Sequence, residues 1–228
     1  MNRTLKTQRL TMSAVMIALS AGLAIVCALI PFLNLPFGGS FTIASMLPIV
    51  LISYMYGIKW GLFVSATYSV LQILMDLALG TSSSVVMALF MPTSDGYMGG
   101  FAAVAIILID YLVAYTVLGL GGIFRNRFKS KSAALCVGSV FALSLRYIAH
   151  IISGAIFYGA WAEWFFSQEG FYAVGGWILE HTSGGALALI YSVFYNGLYM
   201  IPEIIITAIA AVVVSRIPHI KKTDIDIK

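Results

Sequence analysis

Charged residues are scarce in this chain. Only 10% of its 228 residues are Asp, Glu, Lys or Arg, whereas 61% are hydrophobic and the mean hydropathy is +0.97. A soluble domain carries about 25% charged and about 45–50% apolar residues. The composition excludes a disordered chain, a collagen-like chain and an ordinary water-soluble enzyme, because the surplus of apolar residues must face lipid. Residues 1–228 are therefore predicted to form a single integral membrane domain.

Motifs for several kinds of chemistry are also missing. The two cysteines, Cys27 and Cys136, cannot build a disulfide framework. The sequence contains no G-x-x-x-x-G-K-[ST] loop for ATP and no H-E-x-x-H zinc motif. We therefore expect no enzyme, no metal and no cofactor. An intramembrane hydrolase that draws Asp76 and Glu203 together from separate helices is the weaker alternative.

Long hydrophobic runs are what the chain has in abundance. They predict an all-α membrane protein with six transmembrane helices, because a bilayer core about 30 Å thick needs about 20 apolar helical residues. Only a short turn around Gly57 and Lys59 separates the second span from the third, so a hairpin over 43–79 is the alternative. The predicted spans are 10–31, 43–58, 60–79, 100–124, 132–158 and 184–215.

Basic residues indicate how these spans are oriented. With six spans, all but one of the 13 Lys and Arg residues fall on one side, and the connections 32–42, 80–99 and 159–183 on the other side have none. The positive-inside rule then places both termini in the cytoplasm. A signal peptide over 1–31 is disfavoured because the apolar run is too long. The basic residues on the shared side are Arg3, Lys6, Arg9, Lys59, Arg125, Arg127, Lys129, Lys131, Arg216, Lys221, Lys222 and Lys228.

Ionisable residues within the spans are candidates for function, because a charge in lipid is costly. At 1.5 Å per helical residue, Asp110 lies about 15 Å and His150 about 12 Å from the outer ends of their helices. Tyr191 and Asn196 lie at about 10 and 18 Å on the sixth span. Polar groups from three helices thus share one layer in the outer half of the membrane. The members of the wider ionisable set are Asp76, Asp110, Arg146, His150 and Glu203.

This layer has two interpretations, a ligand cavity and a structural polar cluster. Arg146, His150 and Gly154 recur at i, i+4 and i+8 and so share one helix face. Gly154 permits close approach of a ligand or of another backbone, and Arg146 is placed to neutralise Asp110. A carboxylate among aromatic rings favours a planar cation, although Arg146 weakens that inference.

Two further patterns lie outside this layer. Ala14, Ala18 and Gly22 form a small-residue stripe on the first span, suited to close packing against another membrane helix, either within the protein or on a partner. The aromatic residues between Trp161 and Trp177 are read as a belt at the outer membrane interface.

The residues now described resemble a known family. The chain is similar to the substrate-binding S component of an energy-coupling factor (ECF) vitamin transporter, and most closely to the thiamine-specific type. The resemblance covers nearly the whole chain. Its landmarks are GGSFTIASMLPI at 38–49, IDYLVAYTVLGLGGIF at 109–124, RYIAHIISGAIFY at 146–158 and YSVFYNG at 191–197.

The resemblance implies a six-helix fold in a bacterial plasma membrane with a thiamine site near the outer face. Asp110 would face the thiazolium ring, and Tyr111 would add a hydroxyl contact. His150 and Asn196 would contact the aminopyrimidine, and Tyr191 would stack on a ring. The whole set implied for the ligand is Asp110, Tyr111, His150, Gly154, Tyr158, Tyr191, Ser192 and Asn196, with Arg146 and Trp161 in support.

The resemblance also implies partners, which are a transmembrane coupling subunit and two ATPase subunits. The stripe of Ala14, Ala18 and Gly22 would contact the coupling subunit. Loop closure by 32–42 and 80–99 would follow ligand capture.

This chain departs from the family pattern at two positions. Gly39 and Tyr158 stand where some members have stacking tryptophans, and Trp161, Trp164 and Trp177 are the candidates to replace them. The alternative within the family is therefore an S component for another small cationic or heteroaromatic vitamin or precursor. From another class, the alternative is an autonomous carrier that uses Asp110, Arg146 and His150 for proton coupling.

Overall fold

The computed structural model of the protein describes residues 3–35, 41–79, 99–217 and 220, and most of these residues are helical, with no extended strand among them. Gly39, most of the 80–99 connection and part of the 32–42 connection lie outside the described residues. Five of the helices are long and apolar enough to cross a membrane. The helices are α1 (Arg3–Ala28), α2 (Leu47–Tyr56), α3 (Ile58–Leu79), α4 (Gly100–Phe124), α5 (Lys131–Phe157), α6 (Ala162–Phe166), α7 (Tyr172–His181) and α8 (Gly184–Val214).

The predicted second span, 43–58, is wrong in its extent. Helix α2 has ten residues, all buried, and at 1.5 Å per residue it covers about 15 Å, roughly half of the hydrocarbon core. The helix starts late because Ala44 has a φ of +54°, outside the helical range, whereas Pro48 suits a first helical turn. Residues 41–46 lead into α2 without helical structure.

The turn predicted around Gly57 is confirmed. Gly57 has a φ of +89° and its N–H donates to the Ser53 carbonyl at 2.9 Å. A residue with a Cβ would be strained at this φ, so glycine suits the reversal between α2 and α3. The remaining predicted spans agree with α1, α3, α4, α5 and α8 to within a few residues, except that α1 begins earlier, at Arg3.

The basic segments gather at one end of the bundle. The Arg9 guanidinium lies 3.9 Å above the Trp60 ring, joining the start of α1 to the start of α3. Arg125 Nη1 donates to the Met55 carbonyl at 2.9 Å, which adds the end of α4. The hydroxyls of Ser132 and Ser215 are 2.5 Å apart and join α5 to α8. The assignment of this end to the cytoplasm stays a prediction.

The two short helices after α5 lie at the opposite end. Phe165, Phe166 and Ile178 are buried, whereas Trp164 and Trp177 are 41% and 61% exposed. An apolar inner face with exposed indole rings fits the predicted aromatic belt at the membrane interface.

Glycines let the helices around α4 approach backbone to backbone. A Cβ on Gly119 would lie 2.5 Å from the Leu62 nitrogen, and one on Gly138 would clash with the Gly121 carbonyl. Ser53 fastens the same contact, because its hydroxyl donates to the Gly119 carbonyl and accepts from the Gly122 N–H at 3.0 Å. Without a hydrophobic drive between helices in lipid, such close packing stabilises the bundle.

We predict that Gly138→Ala destabilises the protein by about 1–3 kcal/mol, the usual cost of overpacking. The added methyl group must displace α4 from α5, because the Gly121 carbonyl occupies its place. Thermal unfolding of the purified protein in detergent measures the effect. Gly22→Ala is the matched control, since a Cβ on Gly22 meets no atom within 4 Å. Equal melting temperatures for the two variants would contradict the packing described.

Candidate functional site

The structure brings together Asp110 of α4, His150 of α5 and Asn196 of α8, as their predicted depths require. Asp110 Oδ1 lies 2.9 Å from His150 Nδ1. The amide Nδ2 of Asn196 donates to the His150 carbonyl at 3.2 Å. Three helices therefore meet at His150.

Asp110 lies where α4 leaves regular α-helical geometry. Residues Ile107–Val113 form a π-helical segment, a local widening that often occurs at functional sites. The widening places Asp110 toward α5, where Oδ2 accepts a hydrogen bond from Ser153 Oγ at 2.6 Å. The Asp110 side chain keeps 18% exposure, compared with 10% for His150. Asp110 is thus held by two groups of α5 and is still open on one side.

His150 offers a free ring nitrogen. With Nδ1 protonated, the imidazole donates to Asp110, and this tautomer leaves Nε2 as an acceptor. Within the described residues Nε2 is buried and has no hydrogen-bond partner. A buried acceptor without a partner is costly, so it suits a ligand that brings a donor.

Gly154 serves the contact between α5 and α8. A Cβ at this position would clash with Ser192 Oγ and lie 3.0 Å from Asn196 Nδ2. Ser192 Oγ donates to the Ile151 carbonyl at 2.8 Å, which also joins the two helices. Of the two interpretations of Gly154, close approach of another helix is the one that the structure contains.

The amide of Asn196 is engaged on both sides. Its Nδ2 donates to the Ser192 carbonyl at 2.9 Å as well as to α5, and its Oδ1 accepts from the Tyr199 hydroxyl at 2.5 Å. The Tyr199 ring meets the His150 ring edge-on at 6.0 Å between centroids. Asn196 therefore orients Tyr199 and the backbone beside His150.

An aromatic row on α8 extends from His150 toward the outer end. Tyr191 and Tyr195 are 5.6 Å apart, and Tyr195 and Tyr199 are 6.5 Å apart, between ring centroids. The ring of Phe165 lies 5.3 Å from that of Tyr191 and 5.9 Å from that of Tyr195. Sequence reasoning missed Phe165, since nothing distinguishes it from the neighbouring belt residues.

The other predicted aromatic residues take different positions. Tyr111 is buried and its ring stacks on Tyr115 at 6.2 Å. Tyr158 follows the end of α5 and packs, half-buried, on the core, as does Trp161. The indole rings of Trp161 and Trp164 meet edge-on at 6.5 Å. Trp164 and Trp177 are exposed on the outer segment, so Phe165 rather than these two packs on the tyrosine row.

The prediction that Arg146 neutralises Asp110 is wrong. Arg146 Nη1 lies 3.8 Å from Glu203 Oε2, and Nη2 donates to the Tyr115 hydroxyl at 3.2 Å. The guanidinium carbon also lies 4.5 Å from the Tyr115 ring centroid. Glu203, which follows Pro202 on α8, supplies a buried carboxylate that sequence depth could not assign to a partner. The polar partners of the Asp110 carboxylate are therefore His150 and Ser153.

The chemistry that this arrangement supports is recognition of a cation. Asp110 supplies negative charge, the tyrosines supply π faces, and His150 Nε2 supplies an acceptor. In the described part of the chain no group of three His, Cys, Asp or Glu side chains is placed to hold a metal ion.

Comparisons with known proteins found a family, a relative in sequence and a solved structure that are similar to this chain. The model of the thiamine transporter protein family matches residues 14–168. The chain is 32% identical to the thiamine transporter ThiT of Bacillus subtilis (strain 168), over 98% of this chain and 99% of that protein. A solved structure of ThiT from Listeria monocytogenes superposes with a TM-score of 0.54 at 18% identity, covering 90% of this chain and 96% of the other.

We predict that the Arg146–Glu203 pair is energetically coupled. Glu203→Leu alone should cost about 3–5 kcal/mol, because it leaves a buried guanidinium without its carboxylate, and adding Arg146→Met should recover part of that loss. Thermal unfolding of the four proteins in the cycle measures the coupling. The comparison cycle pairs Arg146→Met with Asp110→Asn and should show the smaller coupling, because Asp110 bonds to His150 and Ser153 instead. Stronger coupling to Asp110 than to Glu203 would contradict the ion pairing described.

Proposed function

Because the chain belongs to the thiamine transporter family, we propose that it is the thiamine-binding S component of an ECF-type importer. It is a multi-pass membrane protein, and in this proposal it captures thiamine from the extracellular side. A coupling subunit and two ATPases then drive release into the cell.

The pairing of Arg146 with Glu203 is the observation that supports thiamine most directly. Since these two opposite charges compensate each other, Asp110 keeps its negative charge for a ligand. Thiamine carries a permanent positive charge on its thiazolium ring and a hydrogen-bonding aminopyrimidine. Charge attraction is stronger where water is partly excluded, so a half-buried carboxylate such as Asp110 selects a cation over a neutral ring of similar shape.

The proposed roles follow from position. Asp110 faces the thiazolium, and His150 Nε2 accepts from the exocyclic amino group. Tyr191 and Tyr158 flank the ligand, with Tyr111 and Trp161 contributing to its walls. Gly154, Ser192 and Asn196 hold α5 against α8 and so fix the position of His150, and Arg146 supports the layer from one helical turn away.

We predict that the purified protein binds thiamine saturably and that Asp110→Asn weakens binding about 100-fold, or about 2.7 kcal/mol. Asparagine keeps the shape but removes the charge that the cation needs. Isothermal titration calorimetry in detergent measures both affinities. Glu163→Gln, an exposed acid on α6, is the matched control and should bind as the wild type does.

Absence of saturable thiamine binding by the wild type would overturn this substrate. Titration with the pyrimidine precursor, riboflavin and pyridoxine then identifies the other vitamin. Native mass spectrometry of the purified protein tests the same point through a ligand that co-purifies.

The first helix offers the surface for the coupling subunit. Ala14, Ala18 and Gly22 are all exposed, and within the described part of the chain no other helix covers this stripe. A row of small residues facing outward lets a second membrane helix approach closely. No P-loop exists in the chain, and we propose that ATP is hydrolysed by the partners.

We predict that Ala14→Trp combined with Ala18→Trp abolishes thiamine uptake by cells while thiamine binding stays unchanged. Two indole rings would hold a partner helix away from α1. Val15→Trp with Leu19→Trp is the matched control, because these residues have the same spacing and are exposed on another face of α1. Uptake that survives the first pair would contradict coupling through this stripe.

An autonomous proton-coupled carrier is the second candidate. The observation in its favour is that Asp110, His150, Arg146 and Glu203, all ionisable, lie close together at membrane depth. Thiamine uptake by vesicles that hold this protein alone, abolished by a protonophore, would establish the carrier and refute the S component.

A further inference from the structure

A strained turn precedes α2. Ala44, with φ +54°, is the one non-glycine residue in the described ranges that has a positive φ. Such a conformation persists only where the surroundings hold it, and it is a reason to look for a function. The Ile43 N–H points to Cys27 Sγ at 3.4 Å, and the hydroxyls of Thr42 and Ser45 are 2.7 Å apart.

Glu203 of α8 is hydrogen-bonded to this segment. Thr42 Oγ1 donates to Glu203 Oε1 at 2.5 Å across 161 positions of sequence. Glu203 is fully buried and Thr42 is 7% exposed, so water does not compete for this bond. The strained turn is thereby tied to the middle of α8.

The other oxygen of Glu203 faces the ligand layer. Oε2 lies 3.8 Å from Arg146 Nη1, and Arg146 is one helical turn from His150, the partner of Asp110. One carboxylate therefore touches both the segment 41–46 and the residue directly beneath the proposed site.

We propose that Glu203 is a positioning residue that couples thiamine binding to the conformation of residues 41–46. A ligand that restricts the Arg146 side chain also restricts Glu203, because the two are paired. Glu203 in turn restricts Thr42 through their hydrogen bond. By thermodynamic linkage the coupling is reciprocal. If thiamine binding orders residues 41–46, then freeing Thr42 from Glu203 weakens thiamine binding to the same extent. This inference rests on the proposed function.

The test compares Thr42→Val, which removes the donor but keeps the shape, with Thr42→Ser, which keeps the donor. Thr207→Val is the matched control, because Thr207 is also fully buried on α8, one turn from Glu203, and its hydroxyl has no hydrogen-bond partner among the described residues. Thiamine affinity is measured by calorimetry, and hydrogen–deuterium exchange of residues 41–46 is measured with and without thiamine.

We expect Thr42→Val to weaken thiamine binding about tenfold, within the usual range of coupling between sites. Thiamine should slow exchange of residues 41–46 in the wild type, Thr42→Ser and Thr207→Val, but not in Thr42→Val. A merely structural role for Thr42 would lower stability without removing this response to thiamine.

Glu203→Gln supplies the second arm. Its amide oxygen still accepts from Thr42, but it lacks the charge that faces Arg146, so affinity should again fall. The double variant Thr42→Val/Glu203→Gln should bind no more weakly than the weaker single variant, because both act on one link. If Glu203→Gln does not fold, the comparison of Thr42→Val with Thr42→Ser tests the inference by itself.

The failures are distinguishable. Suppose that the wild type binds thiamine, and that Thr42→Val and Thr42→Ser have the same thiamine affinity and the same exchange response. That result would overturn this inference and leave the proposed function intact. Losses that add in the double variant would also overturn it. No thiamine binding by the wild type would overturn the proposed function itself.

Discussion

A charge inside a bilayer needs a partner inside the protein, and the polar layer of this bundle is arranged around that constraint. Removing one member of a buried ion pair lowers stability by far more than the intact pair contributes, because the remaining charge is not solvated by water. Glu203 compensates Arg146, and Asp110 is held by His150 and Ser153. The first contact joins α5 to α8 and the others join α4 to α5, so charge pairing also orders the bundle.

The carboxylates of Glu203 and Asp110 meet this constraint in different surroundings. Glu203 is fully buried, faces Arg146 and accepts from Thr42, which makes it part of the framework. Asp110 is partly exposed and lies on the π-helical segment of α4. Two acids of similar intrinsic chemistry thus differ in setting, one enclosed in the packed bundle and one open on one side, because their neighbours differ.

Helix packing sets the geometry of this layer. Gly154 brings α5 against Ser192 and Asn196 of α8, and the glycines of α4 bring it against α2, α3 and α5. Small residues at these contacts leave room for backbones rather than for ligand. The aromatic row on α8, with Phe165 against it, then forms the outward continuation of the same layer.

Hydropathy and the rise of a helix are local properties, so the membrane class, the long helices and the common level of Asp110, His150 and Asn196 could be predicted from the sequence. The sequence also placed the turn at Gly57. Tertiary structure decided the partner of Arg146, the shortness of α2 and the contact between Thr42 and Glu203. These depend on rotation of helices about their axes and on contacts between distant segments, and neither is encoded in the spacing of residues along one helix.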